Sequence, residues 1–513
     1  MHNLIKLIEE LKLLDKDQAD IYKLKHQKDH FFLSKDVKIY RNSLYLKNNI
    51  LFFIGKVNNK KSLYLVSKKS FSSEFTGVVQ LIGKIFIEEV EINYYNSQIL
   101  QKLFPFTKPI SLWDKKTTFG FGDRLGLATP GHIHAARKYD IYPVLAQQSI
   151  RELNLTKRSY NQVITDVAFL VFQEGFERGY GADGDHLKTI EDINVALKAG
   201  MPMITLDLTN VLNTEVSDWS DFEINEEFKK LDNNQKKRII NTYINQSFHI
   251  GKYEIVFTSV EAKLCTLLYQ EALNFAKKVD MHLKKDRGDD YDLEISIDET
   301  TTPTLPTHHL FIINELIYRE ISINSLAPRF IGEFQKAIDY LGDVNEFENN
   351  FKIHCEIAKK YGNYKISIHS GSDKFSIYPI IGKYTGLRLH LKTAGTSWLE
   401  ALRCIAKCNP NLYRKIHKKA FQYYDNALKY YHITADISKI KNINDVEDEN
   451  LIEYLEKDES RQLLHITYGG LLNDPEIRDE FFKTLNEYED IHYELVKNHI
   501  SKHMELLGID QIT

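Results

Sequence analysis

Between residues 119 and 392, the sequence alternates eight times between a short apolar segment and a longer helical pattern. The short segments are rich in aromatic and β-branched residues, whereas stretches such as Tyr160 to Gly175 repeat apolar residues every three or four positions. Eight strand–helix units in fewer than 300 residues predict an α/β fold, a (β/α)8 barrel of the TIM type. The predicted strands lie near residues 119–124, 142–147, 179–183, 202–208, 292–298, 321–327, 364–369 and 387–392.

Two segments of different texture flank the predicted barrel, which occupies residues 119–403. Residues 1–118 combine an N-terminal helix with short strand-like runs, which predicts a small β-rich module that could mediate oligomerisation or cover the barrel. Residues 404–513 are helical in pattern and are expected to form an extension that packs on the barrel. Within the barrel, residues 209–251 are too long for a plain loop and predict an insertion or a lid-like excursion.

The composition excludes several classes of protein. Hydrophobic residues make up 43% of the 513 residues, and a net charge of -4 over this length indicates no general affinity for nucleic acid or anionic membranes. The N-terminus does not have the pattern of a signal peptide, and no run approaches the roughly 18 apolar residues of a membrane span. Four cysteines without a disulfide-like spacing favour a reducing compartment, so the expected location is the cytoplasm. The expected partner is a small molecule, with a homo-oligomer possible.

The segment from Gly181 to Lys188, GADGDHLK, concentrates two carboxylates, an imidazole and an ammonium beside two glycines. Because glycine tolerates backbone conformations that other residues resist, we expect a tight turn between a strand and the helix that follows Thr189. A simpler interpretation is a helix N-terminus at which Asp and Thr residues serve as caps.

Similar polar groups follow most of the other predicted strands, and the carboxyl ends of barrel strands converge on one mouth. So many ionisable groups would be costly to bury without a metal or an anionic ligand. The residues predicted to be catalytic are Asp185, Lys188, Glu299, Asp373 and Lys392. The residues predicted to bind substrate are Arg124, His132, Gln147, Gln148, Lys374, Thr393 and Ser397.

Three histidines are the predicted metal ligands: His186, His309 and His369. Carboxylates lie close to each of them in sequence, and imidazoles with a carboxylate and open positions are the usual catalytic arrangement around a divalent cation. Zn, Mn, Ni, Co and Mg are not distinguished by this pattern. His132, His134 and His390 have a plainer interpretation as hydrogen-bonded core residues, and the lysines could be solvated.

Several long motifs resemble those of the tagaturonate epimerase family. They begin with FGDRLGLATPGH at 121–132 and PVLAQQSIRE at 143–152, and the similarity extends to about residue 472. The other matching motifs are FQEG at 172–175, GADGDHLKT at 181–189, HSGSDKFS at 369–376, HLKTAGTSWLEALR at 390–403 and LHITYG at 464–469. The resemblance implies a metal-dependent isomerase that inverts C4, interconverting D-tagaturonate and D-fructuronate in hexuronate breakdown.

The chemistry of such a substrate limits the mechanism. With the ketone at C2, the proton on C4 is not acidified, which leaves transient oxidation by a nicotinamide or retro-aldol cleavage of the C3–C4 bond. The Gly120 segment lacks the spacing of a dinucleotide fingerprint, so we favour the retro-aldol route. A cation would then bridge the C2 and C3 oxygens, Asp185 or Glu299 would be the base, and Arg124 and the lysines would hold the carboxylate.

Two other functions are compatible with the same residues. The first is a metal-dependent aldolase or ketose isomerase that acts on another sugar acid, because a fold does not fix the substrate. The second is a non-catalytic sugar-acid-binding protein, which would be expected to have lost part of the cluster.

Overall fold

The computed structural model describes residues 1–26, 31–34, 36–393 and 395–512. Its N-terminal part is a seven-stranded antiparallel sheet in the order β1-β2-β4-β5-β7-β6, with β3 paired to β4. Two helices precede the sheet and one follows it. The elements are α1 (His2–Glu10), α2 (Gln18–Lys25), β1 (Phe31–Ser34), β2 (Val37–Tyr40), β3 (Tyr45–Lys47), β4 (Ile50–Val57), β5 (Lys60–Ser67), β6 (Gly77–Ile82), β7 (Ile85–Val90) and α3 (Tyr94–Leu103).

Both faces of this sheet are covered at the central strand β4, which explains why β4 is almost continuously apolar. On one face, Leu51 and Phe53 pack with apolar residues of α1. On the other face, Phe52 and Ile54 join a cluster that includes Phe169 and Phe172 from a helix of the barrel. The N-terminal module therefore covers the outside of the barrel, one of the two roles considered for it.

The centre of the molecule is a closed barrel of eight parallel strands, so the predicted (β/α)8 fold is confirmed. Each of the eight predicted segments overlaps one barrel strand. These strands are β8 (Thr117–Gly122), β9 (Tyr142–Ser149), β10 (Gly181–Leu187), β11 (Met203–Asp207), β14 (Asp292–Ser296), β15 (Ser325–Ala327), β16 (Lys365–His369) and β17 (Leu389–Lys392).

Helices surround the barrel and continue beyond it. Local signals set several of their ends: Ser149 with Glu152 and Ser159 with Gln162 form capping boxes. None of the helices in the described ranges is long and apolar enough to cross a bilayer. They are α4 (Thr129–Ala136), α5 (Ile150–Thr156), α6 (Tyr160–Glu174), α7 (Ile190–Ala199), α8 (Asp221–Lys229), α9 (Asn233–Thr242), α10 (Ser259–Arg287), α11 (Pro306–Tyr318), α12 (Val344–Lys360), α13 (Tyr378–Thr385), α14 (Thr396–Cys408), α15 (Pro410–Ala427), α16 (Asp458–Ile466), α17 (Tyr468–Asn473), α18 (Arg478–Glu487) and α19 (Glu489–Leu507).

The long connection after β11 holds α8, α9 and a hairpin of β12 (Ser247–Ile250) and β13 (Tyr253–Val256). The hairpin extends beyond the predicted limit of residue 251. Arg238 and Tyr243 of this insertion donate hydrogen bonds of 2.6 Å and 2.8 Å to Glu315 on α11, which lies outside the barrel. These contacts attach the α9 end of the insertion to the outer helices.

The last helix, α19, packs against α4, α13 and α14 in the outer layer of the barrel. Glycines allow this close approach: a Cβ at Gly131 would lie 2.7 Å from Val496, and one at Gly382 would lie 1.9 Å from the Leu507 carbonyl oxygen. The apolar face of α19, including Ile500 and Met504, belongs to the barrel core. The C-terminal segment is therefore part of the barrel's packing, although no periodicity within the barrel sequence indicates it.

A buried ion cluster joins α19 to the N-terminal sheet. The Glu489 carboxylate accepts hydrogen bonds from Lys38 Nζ at 2.9 Å, Lys61 Nζ at 3.2 Å and Tyr40 at 2.5 Å. Lys56 Nζ lies 3.5 Å away. Burial opposes the charged form of Glu489, but the three lysines outweigh it and hold the pKa of this carboxyl well below its usual range.

Glu489→Gln is expected to destabilise the protein by about 3 kcal/mol at pH 7, because it leaves three buried ammonium groups without their shared carboxylate. The folded-state pKa of Glu489 is below its unfolded value, so its contribution is present above about pH 4.3 and is lost as the pH falls below that value. Urea unfolding at pH 7 and at pH 3.5 should show the difference between wild type and variant shrinking with acid.

Asp490→Asn is the matched control, since Asp490 binds the same Lys38 at 2.8 Å but its side chain is 60% exposed. We expect less than about 1 kcal/mol from this change. Equal losses from the two variants would contradict a special role for the buried carboxylate.

Candidate functional site

One lysine occupies the centre of the barrel at the carboxyl ends of its strands. Lys392, the last residue of β17, places Nζ 2.9 Å from Asp183, 2.8 Å from Asp185 and 2.9 Å from Glu294. All four side chains are buried. Burial alone would lower the pKa of Lys392, but the three carboxylates outweigh it and raise that pKa well above its usual value. Lys392 is therefore a charged hub that connects three strands, β10, β14 and β17.

Strand β10 carries two of these carboxylates, and it contradicts the turn predicted for residues 181–188. The strand continues to Leu187, and Asp183 and Asp185 point to the same side because they are two residues apart. Its glycines serve close packing: a Cβ at Gly184 would lie 2.9 Å from Ala196. The left-handed residue here is His186, with φ 53°, at a register irregularity between Gly184 and Leu187.

The simpler interpretation required a helix cap, and this cap does exist. It is formed by Thr189, which follows the 181–188 segment. The Thr189 side chain accepts a hydrogen bond from the Asp192 backbone N–H at the start of α7. Asp183 and Asp185 take no part in it, since they bind Lys392.

Next to the hub, His186, Asp298 and His369 bring one ligand atom each to within 4.8 Å of one another. His186 Nε2 lies 3.3 Å from one Asp298 oxygen, and His369 Nδ1 lies 3.0 Å from the other. Two imidazoles and one carboxylate are a common ligand set for a catalytic divalent cation.

The other nitrogen of each imidazole is held by a carboxylate of the hub. His186 Nδ1 lies 2.8 Å from Asp185, and His369 Nε2 lies 2.8 Å from Glu294. A carboxylate that fixes the orientation of a metal-binding histidine in this way is typical of metal centres. These two contacts leave His186 Nε2 and His369 Nδ1 facing Asp298, so the arrangement fits a divalent cation.

Charged groups form the wall outside this triad. Glu299 lies 3.2 Å from Arg151 and 3.5 Å from Lys188, and Lys188 also pairs with Asp207 at 3.1 Å. The adjoining cavity, of about 320 Å³, is lined by Glu299 and Arg151 together with Arg329, Lys336 and Tyr431, and we call it the outer cavity. Such a cavity suits a small polar ligand that carries negative charge.

Lys336 stands out because its Nζ forms no ion pair or hydrogen bond with any residue in the described part of the chain. Burial, reinforced by the nearby Arg151, lowers the pKa of Lys336. The Lys336 amine thus lies in the pocket with no competing partner among those residues.

Seven of the predicted site residues line a second, inner pocket around the triad, and an eighth, Lys188, pairs with Glu299 in the wall of that pocket. The seven are Arg124, Gln147, Asp185, His186, Glu299, His369 and Lys392. The Arg124 side chain is already bound within the protein. Its Nε donates to Glu152 at 2.9 Å, and its guanidinium stacks 3.7 Å from the Tyr468 ring centre.

His309, predicted as a metal ligand, lies elsewhere. It belongs to α11, where its two ring nitrogens contact His354 at 2.8 Å and the Tyr364 hydroxyl at 2.6 Å. The prediction that it joins His186 and His369 is wrong because the chain between Glu299 and α11 carries it away from the mouth.

Five of the other predicted residues are held in contacts within the protein. His132 Nε2 is 2.7 Å from Ser397 Oγ, Thr393 donates to the Gly120 carbonyl at 3.1 Å, and Lys374 Nζ donates to the Gln335 and Ile338 carbonyls at 2.9 Å and 2.7 Å. Asp373 pairs with Arg461 at 2.6 Å.

Gln148 follows the pocket residue Gln147 on β9, so its side chain points to the other face of the strand. Its buried amide has no hydrogen-bond partner in the described ranges. Lys374 nevertheless helps to position Lys336, because the two carbonyls to which it donates, those of Gln335 and Ile338, lie on either side of Lys336 in the chain.

Several important residues were missed by sequence reasoning. Glu294 is in the middle of a strand, where a carboxylate gives no motif. Lys336 and Arg329 lie in the irregular chain after β15, where neither periodicity nor a short motif marks a site. Asp298 is the last residue of the predicted strand 292–298 and could have been chosen as a ligand on the same grounds as His369.

The closed barrel and the charged pocket at the carboxyl ends of its strands define a TIM-barrel enzyme. The sequence profile of the tagaturonate epimerase family matches residues 40–507. The chain belongs to that family, whose members are carbohydrate epimerases of the isomerase class.

Individual relatives match over nearly their whole length. The tagaturonate/fructuronate epimerase of Thermotoga maritima is 39% identical over 486 residues, which are 94% of this chain and 99% of the relative. Crystal structures of the fructuronate-tagaturonate epimerase UxaE from Cohnella laeviribosi are also similar. The form with one glycerol superposes with a TM-score of 0.88 at 40% identity and covers 96% of this chain and 99% of its own. The native form gives the same values.

Proposed function

We propose that this enzyme interconverts D-tagaturonate and D-fructuronate by inverting C4, with a divalent cation held by His186, Asp298 and His369. The observation that carries the proposal is this ligand triad, with a carboxylate fixing the outer nitrogen of each histidine, at the mouth of a barrel of the tagaturonate epimerase family. The names of the two relatives support the choice of substrate. All four cysteines are free thiols, which supports a cytoplasmic location.

The proposed reaction is a retro-aldol cleavage followed by the reverse step. The C4 hydroxyl loses its proton, C4 becomes an aldehyde carbon, and the electron pair of the C3–C4 bond passes into an enediolate made of C1 to C3. The aldehyde fragment then turns over, and bond formation on its other face gives the inverted C4. A divalent cation bound by the triad would supply a Lewis acid that stabilises negative charge on the C2 and C3 oxygens.

We assign the proton transfer at C4 to Lys336. The two carboxylates considered from the sequence are occupied: Asp185 contacts Lys392, His186 and Gln147, and Glu299 contacts Arg151 and Lys188. Lys336 has no such partner, and its lowered pKa makes the neutral amine accessible. A neutral amine can accept the C4 hydroxyl proton and return it after the new bond forms.

We assign the C6 carboxylate of the substrate to Arg329. Its buried Nε has no hydrogen-bond partner within the described ranges, and it lines the outer cavity together with Arg151. A guanidinium can hold both carboxylate oxygens at once. Anchoring C6 would keep the aldehyde fragment in the pocket while rotation about the C4–C5 bond presents its other face.

The test is an NMR time course with D-tagaturonate and metal-reconstituted protein, beside an EDTA-treated sample. We expect D-fructuronate to appear only when the metal is present. Three-carbon fragments as the sole products would indicate an aldolase instead, and no turnover with any divalent metal would overturn the proposal.

His369→Gln is expected to lower turnover roughly 100-fold or more and to reduce metal content in parallel. His309→Gln is the matched control, because His309 is a buried histidine that lies away from the triad. Comparable losses of metal from both variants would contradict the assignment of ligands.

A further inference from the structure

A second group of metal-ligand side chains lies outside the pocket just described. Asp373, in the loop after β16, meets His499 and His503 of α19, and one ligand atom from each lies within 4.8 Å of the others. The two histidines are four residues apart on one helix, the spacing that places two imidazoles on the same face for a metal. We call these three residues the Asp373 cluster.

The surroundings of His503 call for a cation. Its Nδ1 lies 2.9 Å from the His499 carbonyl oxygen, which can only accept, so Nδ1 carries the proton. The lone pair of a neutral His503 is then on Nε2, which lies 3.2 Å from a carboxylate oxygen of Asp373. This nitrogen is fully buried and has no hydrogen-bond partner in the described part of the chain. Two acceptors facing each other need a proton or a metal ion between them.

His499 has the same requirement. Its Nε2 lies 2.8 Å from the same Asp373 oxygen, and its Nδ1 lies 3.3 Å from Glu400. A neutral ring can donate to only one of these carboxylates. Protonating both histidines would place two imidazolium rings 5.2 Å apart beside the Arg461 guanidinium. One divalent ion supplies the same charge as those two protons and uses both lone pairs as ligands.

We propose that the Asp373 cluster is a second metal site, which binds a transition-metal dication such as Zn²⁺ or Co²⁺ through Asp373, His499 and His503. Imidazole and carboxylate ligands favour this class of ion. Arg461 holds the other Asp373 oxygen at 2.6 Å, which leaves the first oxygen directed at the histidines. A cavity of about 450 Å³ lined by Asp373, Arg461 and His499 gives the ion a route from solvent.

The proposed ion would connect parts of the chain that are distant in sequence. Asp373 is four residues after the triad ligand His369, whereas His499 and His503 belong to the helix that closes the outer layer of the barrel. The role assigned to the ion is therefore structural: it ties α19 to the loop that leaves the catalytic mouth.

The test uses the full chain with the first site removed by His186→Ala and His369→Ala. After treatment with a chelator and dialysis against Zn²⁺, protein-bound zinc is measured by mass spectrometry, with circular dichroism as the check of folding. We expect one zinc ion per chain in this background, loss of it on adding His499→Gln and His503→Gln, and a zinc-dependent rise in Tm only while these histidines are present.

His417→Gln in the same background is the matched control, since His417 is a buried histidine that packs beside Tyr454 and belongs to neither group of metal-ligand side chains. It should leave the zinc content unchanged. The proposal is overturned if the background binds no zinc, or if zinc persists in a folded His499→Gln/His503→Gln variant. Cobalt adds a second readout, because visible absorption bands should disappear with the same two substitutions.

Discussion

Lys392→Met is expected to destabilise the protein by about 3–5 kcal/mol, because it removes the ammonium that Asp183, Asp185 and Glu294 share. These carboxylates come from two different strands and are almost fully buried, so water cannot replace the lost partner. Urea unfolding followed by circular dichroism would measure the loss. Metal content should also fall, since Asp185 and Glu294 orient the histidines of the triad.

Lys188→Met is the control for this prediction. Lys188 also pairs with carboxylates at the barrel mouth, but its side chain is 29% exposed. Its replacement should cost about 1 kcal/mol or less, since solvent screens such pairs. A folded Lys392→Met variant of wild-type stability would show that Lys392 does not hold the strands together.

Lys336→Met is expected to lower kcat by roughly 100- to 10,000-fold, the usual contribution of a positioned general base, with a smaller change in KM. The pKa of Lys336 is lowered in the folded protein, and the base must be neutral to accept a proton. Wild-type activity should therefore rise with pH as the ammonium loses its proton. The pH–rate profile of the variant should not show this rise.

Lys336→Arg separates proton transfer from simple attraction of the substrate carboxylate. Arginine keeps the positive charge but cannot act as a base at neutral pH. We expect it to be as inactive as Lys336→Met while it retains substrate binding. Near-normal kcat in Lys336→Arg would limit Lys336 to substrate binding and return the base role to Glu299.

The alternation of strand and helix patterns was enough to predict the barrel, because the local periodicity of a buried parallel strand differs from that of an amphipathic helix. The position of α19 was not predictable in this way. Gly131 and Gly382 allow it to approach α4 and α13, but a glycine does not indicate which distant helix will pack on it.

The sequence by itself determined the barrel, its eight strands and the set of polar residues at the strand ends, including His186, His369, Asp185 and Lys392. Only the tertiary structure decided which of them meet. His309 and Lys374 have the same chemical character as His369 and Lys392, but one turns toward His354 and the other toward backbone carbonyls. Asp298 and Lys336 enter the pocket instead. Local sequence fixes the direction of a strand, whereas the contacts of a side chain after the strand ends depend on the loops and helices that close around it.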